Sequence, residues 1–146
     1  GTFYENADPA NKQWTAPEAG LLIVDDEPIN LKIIQGFLSH SEIKTELAAD
    51  GYEALQKASG KQYDVILLDH MMPGMDGEET FAALQRIAQR RKIATPVVML
   101  SAGAQDEQKY YISKGFSGYL QKPVNQDQLL EILFRLIPQD KIKPKI

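Results

Sequence analysis

Short apolar runs with no polar alternation recur along the chain: Leu21–Val24, Val65–Leu68 and Val97–Leu100. A strand that is apolar at every position must be covered on both faces, as in a parallel sheet sandwiched between helices. Between the runs lie stretches with helical spacing, so strand and helix alternate five times. The expected elements are strand Leu21–Val24, helix near Pro28–Ser39, strand Ile43–Ala48, helix near Tyr52–Ser59 and strand Val65–Leu68. They continue with helix near Glu78–Arg91, strand Val97–Leu100, helix near Asp106–Lys114, strand Gly118–Leu120 and helix Gln126–Ile137. Asp50 and Asn125 are placed to cap the second and fifth helices, and Pro28 suits a first helical turn. In the last helix Leu129, Leu130, Leu133, Leu136 and Ile137 share one face, and Pro138 stops it.

Right-handed crossovers turn five such units into a doubly wound α/β domain. Periodicity does not fix the strand order. The expectation is the flavodoxin-like order 2-1-3-4-5, with helices on both faces, because its switch point lies beside the first strand. Residues 20–138 form the expected domain, with 1–19 as a linker or irregular arm and 139–146 as a tail. Trp14 is expected to pack loosely.

At 146 residues the chain has room for one domain with a proper core. A net charge of −4 argues against a nucleic-acid surface. Arg90, Arg91 and Lys92 read as a solvated helix end, and Lys141, Lys143 and Lys145 as a frayed tail. The apolar runs are strand length, not membrane length, and residues 1–19 have no charged segment leading into an apolar core. No cysteine is present, which fits a reducing compartment, and the cytoplasm is the default expectation, with no direct membrane contact.

Two of the apolar runs end on acid: Asp25 and Asp26 follow Leu21–Val24, and Asp69 follows Val65–Leu68. In a parallel sheet, ligands bind beyond the carboxyl ends of the strands, so the three acids should share one crevice. Clustered carboxylates repel, and a hard divalent cation reverses that balance. Mg2+ is the expected guest, since it takes oxygen ligands and is commonly held by one or two carboxylates plus a phosphate. A carboxylate can also act as nucleophile toward phosphorus. Ser101, ending the fourth strand, and Lys122, just after the fifth, could supply a hydroxyl and an ammonium to phosphoryl oxygens. Each residue has a plainer reading: Asp25 and Asp26 as helix-capping acids, Asp69 as turn chemistry, Ser101 as a strand-end cap, and Lys122–Pro123 as an ordinary loop.

Four segments, VDDEP at 24–28, LLDHMMPGMDG at 67–77, LSAG at 100–103 and LQKPV at 120–124, give the chain its resemblance to a receiver domain of the CheY-like superfamily. This is the phosphoacceptor module of two-component response regulators and hybrid histidine kinases. The spacings suit the family: 43 residues from Asp26 to Asp69, 32 to Ser101 and 21 to Lys122. The resemblance implies that Asp69 is phosphorylated with Mg2+. Asp26 would be the more direct metal ligand, Asp25 would act partly through water, and the Met71 backbone carbonyl would complete the set. Ser101 and Lys122 would bind the phosphoryl group, and the Lys122–Pro123 peptide would be cis. Tyr119 matches the family's aromatic switch, against the plainer reading of a core or rim aromatic. Met71 and Gly103 fall at positions that tune hydrolysis. His40 and His70 lack the context of a kinase phosphohistidine, and Tyr110 and Tyr111 read either as partner surface or as half-buried packing.

The expected partner is a histidine kinase or histidine phosphotransfer domain, with a homodimer through the fourth-helix to fifth-helix face as a further expectation. Glycine boxes for ATP and a kinase histidine motif are not visible in the sequence. VDDEPINLKII with DHMMPGMDG is similar to receivers at the C-terminus of hybrid sensor kinases, the preferred parent; a stand-alone regulator, a pseudo-receiver interaction module and a Mg2+-dependent phosphatase or phosphotransferase are the alternatives. The phosphatase would want a second Asp where Met71 stands, and the pseudo-receiver usually lacks one of the acids or the lysine.

Overall fold

The computed structural model describes residues 8–9, 12–103 and 107–145. Arm residues 1–7 and 10–11, tail residue 146, and Asp106, the expected start of the fourth helix, lie outside them. The elements in chain order are β1 (Trp14–Thr15), β2 (Gly20–Val24), α1 (Pro28–Phe37), β3 (Lys44–Ala48), α2 (Gly51–Gly60) and β4 (Val65–Asp69). Then follow α3 (Gly77–Arg91), β5 (Val97–Ser101), α4 (Glu107–Ser113), β6 (Gly118–Gln121), α5 (Gln126–Leu136) and β7 (Lys143–Pro144).

Five strands form one parallel sheet in the order β3-β2-β4-β5-β6, the order expected from the sequence. Side chains alternate across it and divide the core in two. Leu21, Ile23, Leu67 and Leu100 face Leu31 and Ile34 of α1 and Leu129, Leu130 and Leu133 of α5. Leu22, Val24, Leu68 and Met99 face Ala54 of α2, Phe81 and Leu84 of α3 and Tyr111 of α4. β2, β4 and β5 are covered on both sides, which is why they carry no polar residue before their last position. Edge strand β3 (Lys44–Ala48) is half-exposed and mixed in composition.

N-terminal caps start the helices where local chemistry directs. Asp50 accepts the Glu53 amide, Asn125 accepts the Gln128 amide, and Asp76 with Glu79 closes a capping box on α3. Pro28 opens α1.

The flanking segments differ from the sequence reading. Trp14 is fully buried, not loosely packed. Its indole meets Phe134 and His40 edge-on, each at 5.4 Å between centroids, and donates its N–H to the Pro9 carbonyl at 2.9 Å. β1 pairs antiparallel with β7, matching Trp14 to Pro144 and Thr15 to Lys143. Ile142 is buried, and Lys141 is not part of a frayed tail, because its ammonium lies 2.9 and 3.0 Å from the Asp64 carboxylate. Two-residue strands that meet across most of the chain's length leave no periodicity for a local reading to find.

Trp14 fills a site bounded by α5 and the β7 segment, so Trp14→Ala is expected to lower stability by about 3–5 kcal/mol in urea denaturation. His40 packs on that indole, with its Nε2 buried and unpartnered. Burial, then the charges of Lys145 and Lys12, hold its pKa below the ordinary 6.5. The unfolded chain therefore takes up this proton first as pH falls below 6.5, and stability should drop with it. Melting curves between pH 7 and 5 should show a smaller loss for His40→Gln than for the parent chain.

Candidate functional site at the carboxyl edge of the sheet

Because all five strands of the sheet run parallel, their carboxyl ends share one edge, and the candidate acids, serine and lysine sit on it. Asp25 and Asp26 follow β2, Asp69 ends β4, Ser101 ends β5 and Lys122 follows β6. Asp25 and Ser101 are essentially inaccessible, Asp69 is 3% exposed and Asp26 is half-buried. One carboxylate oxygen from each of Asp25, Asp26 and Asp69 lies within 4.8 Å of the others.

Asp25 Oδ1 accepts the Glu27 amide at 2.9 Å, and the Asp25 amide donates to the Ala48 carbonyl at 3.1 Å. α1 has no side-chain cap and no acid in its first turn, so helix capping does not account for the pair. Lys122 Nζ donates to Asp69 Oδ1 at 2.6 Å and stands 3.4 Å from Asp25 Oδ2. That second contact is an ion pair without hydrogen-bond geometry, and Asp25 Oδ2 has no hydrogen-bond partner. The Lys122 amide donates to the Ser101 carbonyl at 2.8 Å, which ties β6 to β5, and the Lys122–Pro123 peptide is cis.

Among the described residues, three carboxylates share this edge with the ammonium of Lys122. Burial, partly offset by the Lys122 hydrogen bond and reinforced by the charges of Asp25 and Asp26, pushes Asp69 up to about 6. For Lys122, burial works downward, but the hydrogen bond to Asp69 and the charge of Asp25 outweigh it and raise its pKa. An orphaned buried carboxylate oxygen in a set of hard oxygen donors with excess negative charge is the chemistry that fits a divalent cation.

The Ser101 hydroxyl accepts the Gly103 amide at 3.1 Å and donates to Glu107 Oε2 at 3.0 Å. Tyr119 is half-buried, its hydroxyl 3.4 Å from the Gly103 carbonyl and its ring parallel to that of Tyr111 at 5.9 Å. Tyr111 is buried against Phe116, with its hydroxyl 3.1 Å from His70 Nε2, whereas Tyr110 is nearly half exposed and donates to Glu78 at 2.9 Å. Burial, then the charges of Glu107 and Glu78, pushes the Tyr111 hydroxyl up to about 12. Met71 is 72% exposed, at the rim.

Two residues beyond the sequence reading shape this edge. Gly77 opens α3 against the acceptor strand: a Cβ there would come within 2.6 Å of the Asp69 carbonyl and 2.9 Å of His70 Cα. The Asp-Gly pair at 76–77 is the trace of this approach in the sequence. Glu107, the partner of Ser101, left no such trace.

A doubly wound five-stranded parallel sheet with an acid cluster, a lysine and a serine at its carboxyl edge puts the chain in the flavodoxin-like class of α/β domains. The chain belongs to the response regulator receiver domain family, whose sequence model matches residues 21–134. It is 32% identical over 127 residues to the signal transduction histidine-protein kinase BarA of Escherichia coli, covering 86% of this chain but 14% of BarA. Vibrio cholerae chemotaxis protein CheY4 superposes with a TM-score of 0.72 at 34% identity, over 82% of this chain and 98% of that one. The receiver domain of sensor histidine kinase PA1611 from Pseudomonas aeruginosa, which has a magnesium ion in its active site cleft, superposes at 0.70 with 30% identity, over 81% and 96%. No helix among the described residues is long and apolar enough to cross a membrane.

The raised pKa of Asp69 has a sign. Without metal, the folded chain binds this proton more tightly than the unfolded chain, whose pKa is near 3.8, so stability falls as pH rises from about 4 to about 6 and stays low above. Asp69→Asn should therefore stabilise the metal-free protein at pH 8 by about 2 kcal/mol and leave it unchanged near pH 4. Melting curves in EDTA, with and without added Mg2+, check this; an Asn variant that melts lower at pH 8 would contradict it.

Proposed function

We propose that this domain accepts a phosphoryl group from a phosphohistidine donor onto Asp69. The observation that carries the reading is the buried Asp69 carboxylate, paired with Lys122 inside a cluster of three acids. In the transfer, the P–N bond to the donor imidazole breaks as an Asp69 carboxylate oxygen bonds to phosphorus, leaving an acyl phosphate. Lys122 would move from Asp69 Oδ1 onto a phosphoryl oxygen, and the Ser101 hydroxyl would serve another. Asp25, Asp26, Asp69 and the Met71 carbonyl would hold Mg2+, which would neutralise charge gathering on the phosphoryl oxygens.

Ser101 and Tyr119 are the proposed switch, supported by their shared attachment to the 101–103 turn. Added charge at the sheet edge would bias that turn and the face formed by α4, β6 and α5, where a homodimer contact is also proposed. The likeness to BarA supports a cytoplasmic receiver module within a hybrid histidine kinase, fed by a kinase or histidine phosphotransfer domain; the match to CheY4, 98% of which is covered, favours a stand-alone regulator as the second reading. In either reading residues 20–138 would be the receiver unit, flanked by an arm and a tail, with no role for nucleic acid.

Incubation with acetyl phosphate, with and without Mg2+, followed by intact-mass measurement tests the reading. One added phosphoryl group that requires both Mg2+ and Asp69 is expected. Labelling that survives Asp69→Ala would overturn it.

A further inference from the structure

A serine hydroxyl has one proton and can donate it to one acceptor at a time. In this structure the Ser101 proton is committed: it goes to Glu107 Oε2 at 3.0 Å, while the Gly103 amide occupies the hydroxyl as acceptor at 3.1 Å. Ser101 is 2% exposed, so water does not compete freely for it. The Glu107 carboxylate reaches the hydroxyl by lying directly against Gly103, where any Cβ would overlap it. Glu107 is also the first residue of α4, so this bond fastens the helix to the end of β5. The same turn holds Tyr119 through the Gly103 carbonyl, and Tyr119 stacks on Tyr111 of α4.

We propose that Glu107 is an autoinhibitory positioning residue, a built-in anionic acceptor that holds the Ser101 hydroxyl away from the phosphoryl site until a phosphoryl oxygen displaces it. The proposal rests on the receiver reading above and adds to it what the switch is released from. The exchange conserves hydrogen bonds: one anionic acceptor replaces another on the same proton, and the released carboxylate, half-buried in the structure, is left to water. Its release also unfastens the start of α4. The cost of breaking the Ser101–Glu107 bond is subtracted from the affinity for any phosphoryl-like ligand, and removing Glu107 should return it. Gly103 belongs to the same device, since only a residue without a side chain leaves room for the carboxylate.

The test is titration of the full chain with beryllofluoride in saturating Mg2+, read by calorimetry. Glu107→Ala should tighten binding about tenfold, the scale of a hydrogen bond to a charged group. Glu107→Gln, which keeps an acceptor oxygen but loses the charge, should give part of the gain. Gly103→Ala, which crowds the carboxylate off Ser101, should reproduce the effect, and it serves the comparison if a Glu107 variant fails to fold. In a Ser101→Ala background, Glu107→Ala should change nothing further; mere relief of charge repulsion would persist there. If wild type binds and Glu107→Ala lies within twofold of it, or if the gain survives in the Ser101→Ala background, the lock is overturned while the receiver reading stands. Failure of wild type to bind beryllofluoride at all would overturn the receiver reading and the lock with it.

Discussion

An excess of negative charge at the carboxyl edge of the sheet is the constraint around which the site is organised. Three carboxylates meet there, and the ammonium of Lys122 binds Asp69 and lies near Asp25 without satisfying it. That arrangement is costly in a buried setting, and the elevated pKa of Asp69 is one expression of the cost. It persists because the strands that present the acids are fixed by packing on both faces, with Leu22, Val24 and Leu68 on one side and Leu21, Ile23 and Leu67 on the other. The hydrophobic core thus holds together charges that would separate if left to themselves.

Burial explains how much of this was legible in the sequence. β2, β4 and β5 could be read directly because two-sided coverage permits no polar residue until the strand reaches its end, and the first polar residue there is a candidate site residue. Sheet order could not be read that way, since periodicity is blind to which strand neighbours which; the flavodoxin-like order was an assumption consistent with the place of the acids. The capping residues Asp50 and Asn125 were visible because a cap acts within three residues of its helix. Trp14 was misjudged for the opposite reason. Its burial depends on Phe134 and on a β7 partner at the other end of the chain, and no local pattern announces so distant a pairing.

Glu107 and Gly77 mark a finer limit. Both matter through close approach: a carboxylate lying over the Gly103 backbone, and a helix start pressed against the Asp69 carbonyl. Sequence spacing says that residues 101 and 107 lie on a strand end and a helix start, but not that a hydroxyl and an acid come to 3.0 Å. Family resemblance carries the shared acids, serine and lysine forward. It is silent on what an individual chain places beside them.

The β1–β7 ribbon has a mechanical meaning. Trp14 lies opposite Pro144, and the Lys145 amide donates to the Gln13 carbonyl, so Gln13 and Lys145 sit side by side at one end of the ribbon. Tension applied between those two residues would load the hydrogen bonds in sequence, opening them like a zipper, and would reach Trp14 early. The α/β core would be shielded from that pull, with β2 and the acid edge beyond it bearing no load until the ribbon had parted.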